Sequence, residues 1–370
     1  MKKVLALMLV ICLSVSLSGC SFWMDGSYHS IQPHQDDRQE AMQETVTATS
    51  YKELEMALID LIENGRLNCL IYMPEYSANQ IGVFAQRAVE NVMQTNPIAA
   101  YAVENVTYDM GTANGKPALA VNITYTYTRN EIRQIRHVGN MSAVSQLIGQ
   151  ALSDCDADFV VRITDYKDTD YALIAQNYAE EYPENCMEIP QISAVTYPET
   201  GSDRVLKLTF TYQTNRDALR NMQAYVKPVF TAAELNVRGE ETQNAKFALM
   251  YAFLMERSEY QLETSITPAY SLLRHGVGDS KAFAMVYAAM CNRAGLECSM
   301  VTGTKDGVPW VWNIICEDGV YYYIDLLIET EDDRLVYLTE EDMQGYVWDY
   351  SSFPDAGLAE EVAEQSVEEP

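Results

Sequence analysis

Ser280 stands where a nucleophile gains most from its surroundings. It follows the turn Gly276-Val277-Gly278-Asp279 and opens an apolar stretch, Phe283, Val286, Tyr287 and Met290, whose i, i+3, i+4, i+7 spacing predicts a helix. The unpaired N–H groups and the positive dipole end of such a helix favour a developing anion. Covalent catalysis needs two further parts, a base that takes the nucleophile's proton and an acid that orients the base. Asp325, closing the aromatic run Val320 to Ile324, has the chemistry of the acid. The run Pro309 to Asn313 offers Trp310 and Trp312 instead of a base. An indole only donates; it accepts no proton at any ordinary pH.

No other residue substitutes readily. The chain has four histidines, His29, His34, His137 and His275, and only His275 falls near, five residues before Ser280. Cys291 and Cys298 are alternative nucleophiles, but Cys291 falls three turns along the predicted helix, where packing is the expected role. A serine also lacks the thiolate that a helix N-terminus stabilises, and depends on a strong adjacent base.

These runs resemble the transglutaminase-like family, papain-like cores whose bacterial members commonly read G-x-G-x-C-x-x-[YF]-A, then H-A-W-N, then an aromatic strand ending in Asp. Gly276, Gly278, Phe283 and Ala284 fit the first motif, Trp312 and Asn313 the second, Asp325 the third. The resemblance covers roughly Thr231 to Pro354, about a third of the chain. It implies a papain-like α+β core in which the family's cysteine falls on Ser280 and its histidine on Trp310. Catalysis is then not expected from Ser280, Trp310 and the retained Asp325, while Gly276, Gly278, Asp279, Trp312 and Asn313 are expected to keep the scaffold and its groove.

Structural roles account for the same residues. Asp279 or Ser280 makes a natural helix N-cap, and capping explains the serine. Trp310 fills the space of an imidazole, and its indole N–H is predicted to donate to Asp325. The acidic group Glu329, Glu331, Asp332 and Asp333 lacks the alternating spacing and glycine turn of a calcium loop, so no metal and no cofactor are expected.

The elements that must position this site follow from periodicity. Ala245 to Tyr260 is a strongly apolar helical run, and a domain spanning 231–356 is expected to start just before it, followed by an acidic tail at 357–370. Upstream, Val106 to Ile132 and Val195 to Leu219 read alike, VTYDMG…ITYTYTRNEI beside VTYPETG…LTFTYQTNRDAL, which predicts a duplication of 51–140 in 141–230. Each copy reads α-β-α-β-β, and the fold class of the whole chain is α+β. Strands are expected at Leu67 to Met73 and Asp158 to Thr164; helices at Ser77 to Asn96 and Asp168 to Tyr182 are expected to end at Pro97 and Pro183. Ile123, Tyr125 and Tyr127 alternate with threonines, as on a half-buried strand.

Residues 1–19 read as an export signal, with Lys2 and Lys3 before an apolar run, Val4 to Leu17, too short for a membrane span. Leu17-Ser18-Gly19-Cys20 resembles the lipobox of bacterial lipoproteins, which implies acylation of Cys20 and an extracytoplasmic, lipid-anchored chain with a polar tether at 20–50. The formal charge is −28, from 25 basic and 53 acidic residues, and loss of the two lysines with residues 1–19 would make it −30. Such a field repels phosphate backbones, so nucleic acid is excluded as a partner. Besides Cys12 and Cys20 there are six cysteines, Cys69, Cys155, Cys186, Cys291, Cys298 and Cys316, which form no CxxC pair; export permits disulfides, and their expected default role is packing. The function expected is binding or scaffolding of a peptide, protein or cell-wall ligand. The alternatives are an acyltransferase or peptidase acting through Ser280 or a relocated cysteine, and a structural envelope spacer.

Overall fold

A computed structural model of the chain describes residues 45–329 and 334–353. The export signal, Cys20, the tether as far as residue 44, Glu331 to Asp333 and the acidic tail lie outside the described residues.

Two four-stranded sheets of identical strand order lead the described chain. The first holds β1 (Thr45–Thr47), β2 (Asn68–Tyr72), β3 (Val103–Ala113) and β4 (Lys116–Tyr125) in the order β1-β2-β4-β3. Its helices are α1 (Tyr51–Glu63), α2 (Ala78–Thr95) and α3 (Pro97–Ala102), followed by α4 (Arg129–Gln134). The second holds β5 (Arg136–Val138), β6 (Asp158–Ile163), β7 (Gln191–Tyr197) and β8 (Arg204–Thr211) in the order β5-β6-β8-β7, with α5 (Met141–Ser153), α6 (Tyr171–Glu181) and α7 (Arg216–Asn236). In both, the first strand pairs parallel and the others antiparallel.

Three boundaries differ from expectation. Each sheet begins with a three-residue strand ahead of its first helix, too short to carry an alternation that periodicity would detect. Because β5 pairs with β6, the second sheet starts at Arg136, inside the segment 51–140 assigned to the first unit. The boundary at 230/231 falls within α7, which continues past Pro228 and Thr231 to Asn236. Pro97 does end α2, but the chain re-enters a helix at once, because Asn96 accepts from the Ala99 N–H at 2.9 Å and proline suits the first helical position.

The two sheets are joined through repeated contacts. α3 packs on β7 and β8. Arg162 of β6 reaches Glu63 of α1 at 2.7 Å and grips Asp203 with two bonds of 2.9 and 2.7 Å. α6 and α7 in turn pack against the helix that carries Ser280.

Apart from short helical turns, the remaining elements are α8 (Gln243–Met255), β9 (Glu259–Tyr260), β10 (Val277–Gly278), α9 (Ser280–Arg293), β11 (Cys298–Lys305), β12 (Val308–Glu317), β13 (Val320–Ile324) and β14 (Tyr346–Trp348). β9 and β10 form a two-stranded parallel pair, and the last four strands form an antiparallel sheet in the order β13-β12-β11-β14. The predicted helix from Ala245 stops at Met255, where the chain turns to become β9. α9 is buried on all sides from Ala282 to Cys291, a central helix rather than the amphipathic one its spacing suggested. The six described cysteines carry free thiols, five of them buried. No helix of the described residues is long and apolar enough to cross a membrane.

Candidate active site

Local geometry at the start of α9 follows from two glycines and a carboxylate. Residues 271–275 form a turn of wide helix that Gly276 ends at φ +72°, where a Cβ would collide with the Arg257 carbonyl oxygen. Gly278 lies on β10, where a Cβ would come within 3.0 Å of the Ala282 methyl. Asp279 then caps the helix, accepting from the Ala282 N–H at 2.9 Å, and takes a second bond from the Thr264 hydroxyl at 2.8 Å.

Ser280 is therefore the first residue inside the helix and not its cap. Its hydroxyl oxygen instead accepts from the Val311 N–H of β12 at 3.2 Å, which ties the helix start to the sheet. The expectation that capping explains the serine is corrected: Asp279 satisfies the helix N–H, and the serine is left to meet the strand.

β12 sorts its residues to two faces. Asn313 turns to α9, where its amide donates to Ala284 O at 2.9 Å and Ser299 O at 3.4 Å with no exposure to solvent. Trp312 packs on the opposite face with Val301, Tyr323 and Trp348, and Trp310 packs against that same cluster. From there the Trp310 indole N–H donates to Asp325 Oδ2 at 3.1 Å, the hydrogen bond predicted from sequence.

Asp325 follows β13 and is the most heavily bonded carboxylate of the region. Oδ2 also receives Lys305 Nζ at 2.8 Å and the Tyr346 hydroxyl at 2.6 Å, while Oδ1 accepts from the Leu327 N–H at 3.1 Å. Its side chain is 1% exposed and that of Lys305 28%. Lys305 Nζ stands 5.4 Å from the Trp310 ring centroid and 5.0 Å from that of Tyr346, within cation–π range of both. Burial, and next the bond to Asp325, push the Tyr346 phenol well above its ordinary range, so it stays a donor.

Lys305 and Tyr346 were not found from sequence. Lys305 had a usable signal: Asp306-Gly307, at φ +52° and +79°, makes a two-residue hairpin turn that pairs Lys305 with Val308 and Gly303 with Trp310. That register puts lysine and indole on one sheet face. Tyr346 arrives on β14 from a distant part of the chain and has no local signature.

Among the described residues the histidines and cysteines go elsewhere, while His29 and His34 lie outside the described residues. His275 stacks edge-on against Tyr270 with centroids 5.5 Å apart, and His137 lies on β5 of the second sheet. Cys291 and Cys298 are buried in the core around α9, and burial pushes the Cys298 thiol far up, the reverse of what a reactive thiolate needs. The space bounded by Ser280, Val311, Trp312, Asn313 and Asp325 holds no volume for a water-sized sphere. Among the described residues no group of three or more His, Cys, Asp or Glu is placed to hold a metal ion.

The stretch 231–351 matches the model of the transglutaminase-like superfamily. These residues form a transglutaminase-like domain. Among solved structures, one named as a cysteine protease from Cytophaga hutchinsonii shares 13% identity over 43% of this chain and 70% of its own, at a TM-score of 0.26. A transglutaminase shares 10% identity over 60% of this chain and 66% of its own, at 0.26. A protease from Parabacteroides distasonis shares 10% identity over 69% of this chain and 39% of its own, at 0.23. No curated protein matches the sequence. The transglutaminase-like domain accounts for the last sheet and α9; the two preceding sheets lie before it.

Proposed function

We propose that the transglutaminase-like domain no longer catalyses and acts as a binding or scaffolding module of a lipid-anchored extracytoplasmic protein. The reading rests above all on Asp325. A carboxylate that would orient a catalytic base is bonded instead to Lys305, Trp310 and Tyr346. Beside it the Ser280 hydroxyl accepts from the Val311 N–H, and the space between the two holds no volume for a water-sized sphere. A serine without a base has no route to the alkoxide that covalent catalysis requires.

The two sheets of identical strand order are, in this reading, tandem copies of one unit that hold the domain away from the membrane. The acyl anchor at Cys20 supplies attachment, since a chain of formal charge −30 after loss of Lys2 and Lys3 from the −28 of the full sequence is repelled by anionic headgroups.

The test is an assay of the full chain against a glutamine-containing peptide with a fluorescent primary amine. The expected result is no amine incorporation and no peptide cleavage above that of Ser280→Ala. Either activity, present in the parent chain and lost in Ser280→Ala, overturns the reading. Membrane fractionation of Cys20→Ser tests the anchor, with release to the soluble fraction expected.

A further inference from the structure

A cleft of about 260 Å³ opens between α5 and the second sheet, outside the transglutaminase-like domain. Leu147 and Ala151 of α5 and Phe159 of β6 give it apolar walls. Its volume lies just under the range of about 300–1,000 Å³ that drug-sized ligands fill, which suits one molecule of amino-acid size. Arg136 pairs on β5 with Val161, which shares a core with Val144 and Ile148 of α5, so its side chain leaves the sheet on the helix side, as that of Phe159 does. The guanidinium lines the cleft and has no hydrogen-bond or ion-pair partner among the described residues; the same holds for the side-chain amides of Gln134 and Gln150. Asp154 and Asp156 line the cleft from the turn between α5 and β6. Arg220 and Arg216 of α7 hold one oxygen of each, Asp154 Oδ1 at 3.7 Å and Asp156 Oδ1 at 2.6 Å, and neither Oδ2 accepts a hydrogen bond.

The first sheet shows the same corner with its charges answered from within. Past the ends of α1 and α5 comes a residue at positive φ, Gly65 at +58° and Cys155 at +49°. The carbonyl just before each accepts from an arginine Nε, Asn64 O from Arg129 at 3.1 Å and Asp154 O from Arg216 at 3.2 Å. Val46 pairs with Ile71 as Arg136 pairs with Val161. In that register Val46, Asp60 and Arg66 stand for Arg136, Gln150 and Asp156, and Asp60 pairs with Arg66 at 3.4 Å. In the second sheet that pair is gone: Gln150 carries no charge, and Arg136 adds one that no described residue answers.

We propose that this cleft binds a free α-amino acid with an apolar side chain, of leucine or phenylalanine size. Arg136 takes the carboxylate, with the amides of Gln134 and Gln150 as further donors, and the ammonium takes the open oxygens of Asp154 and Asp156. The side chain covers Leu147, Ala151 and Phe159. A purely anionic ligand meets the two aspartates and a purely cationic one meets Arg136, so only a zwitterion answers both signs. The site is independent of whether Ser280 catalyses, and it gives the second sheet a ligand of its own.

The experiment is equilibrium dialysis of radiolabelled leucine against the full chain in non-ionic micelles at physiological salt, with empty micelles as blank. Leucine should bind saturably, at one site per chain. N-acetyl-leucine lacks the cation, leucinamide the anion and glycine the apolar group, and each should displace the label at least about tenfold less well than unlabelled leucine. Arg136→Met and Asp154→Asn should each weaken binding about tenfold with the circular dichroism of the parent chain retained. Met56→Ser, on an exposed site of α1, should leave it unchanged. If either cleft variant loses the parental spectrum, the competitor series decides. No saturable binding of leucine, equal displacement by N-acetyl-leucine, leucinamide or glycine, or parental affinity in a folded Arg136→Met or Asp154→Asn chain each overturns the proposal.

Discussion

Replacing Lys305 by methionine tests the central claim about Asp325. The ammonium lies 2.8 Å from Oδ2 of a carboxylate whose side chain is 1% exposed. At an effective dielectric of about 20, two charges at that separation attract by roughly 6 kcal/mol before desolvation is subtracted. Removing one partner of a buried pair typically costs about 3–5 kcal/mol, because the other charge is left uncompensated. Lys305 is 28% exposed and so partly screened, and Trp310 and Tyr346 still donate to Asp325 after its removal. The expected loss is therefore about 2–3 kcal/mol. Asp325→Asn in the Lys305→Met background removes the stranded charge and should recover most of it, giving a coupling of about 2 kcal/mol between the two positions.

A local probe is available for this cycle. Of the four tryptophans, Trp310, Trp312 and Trp348 sit in one sheet, and Trp23 lies outside the described residues. Urea unfolding followed by tryptophan fluorescence thus reports chiefly on the transglutaminase-like domain, which matters because a chain with several cores need not unfold in two states. A loss below about 0.5 kcal/mol for Lys305→Met, or single effects that simply add in the double variant, would refute the argument that the pair is buried and mutually dependent.

Three further outcomes follow from the same reasoning. Arg162→Met removes the grip on Glu63 and Asp203, and because both acids are about a third exposed the loss should be about 1–2 kcal/mol, read as faster proteolysis of the 126–136 connection; unchanged cleavage would show that the apolar contacts join the two sheets without the ion pairs. Ser280→Cys should give a thiol that iodoacetamide alkylates more slowly at pH 7 than glutathione, since it gains a helix N-terminus but neither a base nor a cavity; alkylation faster than glutathione would point to a competent site. Burial raises the phenols of Tyr101, Tyr125, Tyr212, Tyr287 and Tyr346 above their ordinary value of 10.0, so their contribution is complete below that value and is lost as pH climbs toward the folded-state values. Tyrosinate absorbance should then lag behind free tyrosine above pH 10 and rise with unfolding; smooth titration of every phenol near 10 with the fold intact would contradict it.

The parts of the site legible in sequence were those fixed within a few residues. Gly276, Gly278 and Asp279 declare a turn and a cap, because a left-handed φ, a close approach and an N-terminal carboxylate each restrict the residue type locally. The Trp310–Asp325 bond was legible because a retained acceptor required some donor and the substituted residue carried one. The role of Ser280 was misread for an equally physical reason: two adjacent residues both suit a cap, and only the approach of β12 decides that Asp279 takes it. Lys305 was recoverable from the Asp306-Gly307 turn. Tyr346 was not, since β14 joins the sheet by pairing with β11, which precedes both β12 and β13 in the chain, and a pairing of that kind has no periodicity to read. The paired sheets divide likewise: β2 and β6 showed as apolar runs, whereas β1 and β5 owe their existence to the neighbour they pair with.

Around Ser280 and Trp310 the Asp325 carboxylate is fully engaged, while Trp312 Nε1, Trp348 Nε1 and Asn313 Oδ1 are buried without a hydrogen-bond partner. A catalytic histidine would serve Asp325 with one ring nitrogen and keep the other for a proton. Trp310 supplies the donor and no acceptor, so the hydrogen bond survives and the proton route does not. What the imidazole's positive charge would have given the carboxylate is given permanently by Lys305, and Tyr346 completes the shell from the far edge of the sheet. The carboxylate is thus held by fixed donors where catalysis would need a partner that changes charge. In the non-catalytic reading proposed above, such a centre gains rigidity from the same interactions that leave it without a proton acceptor.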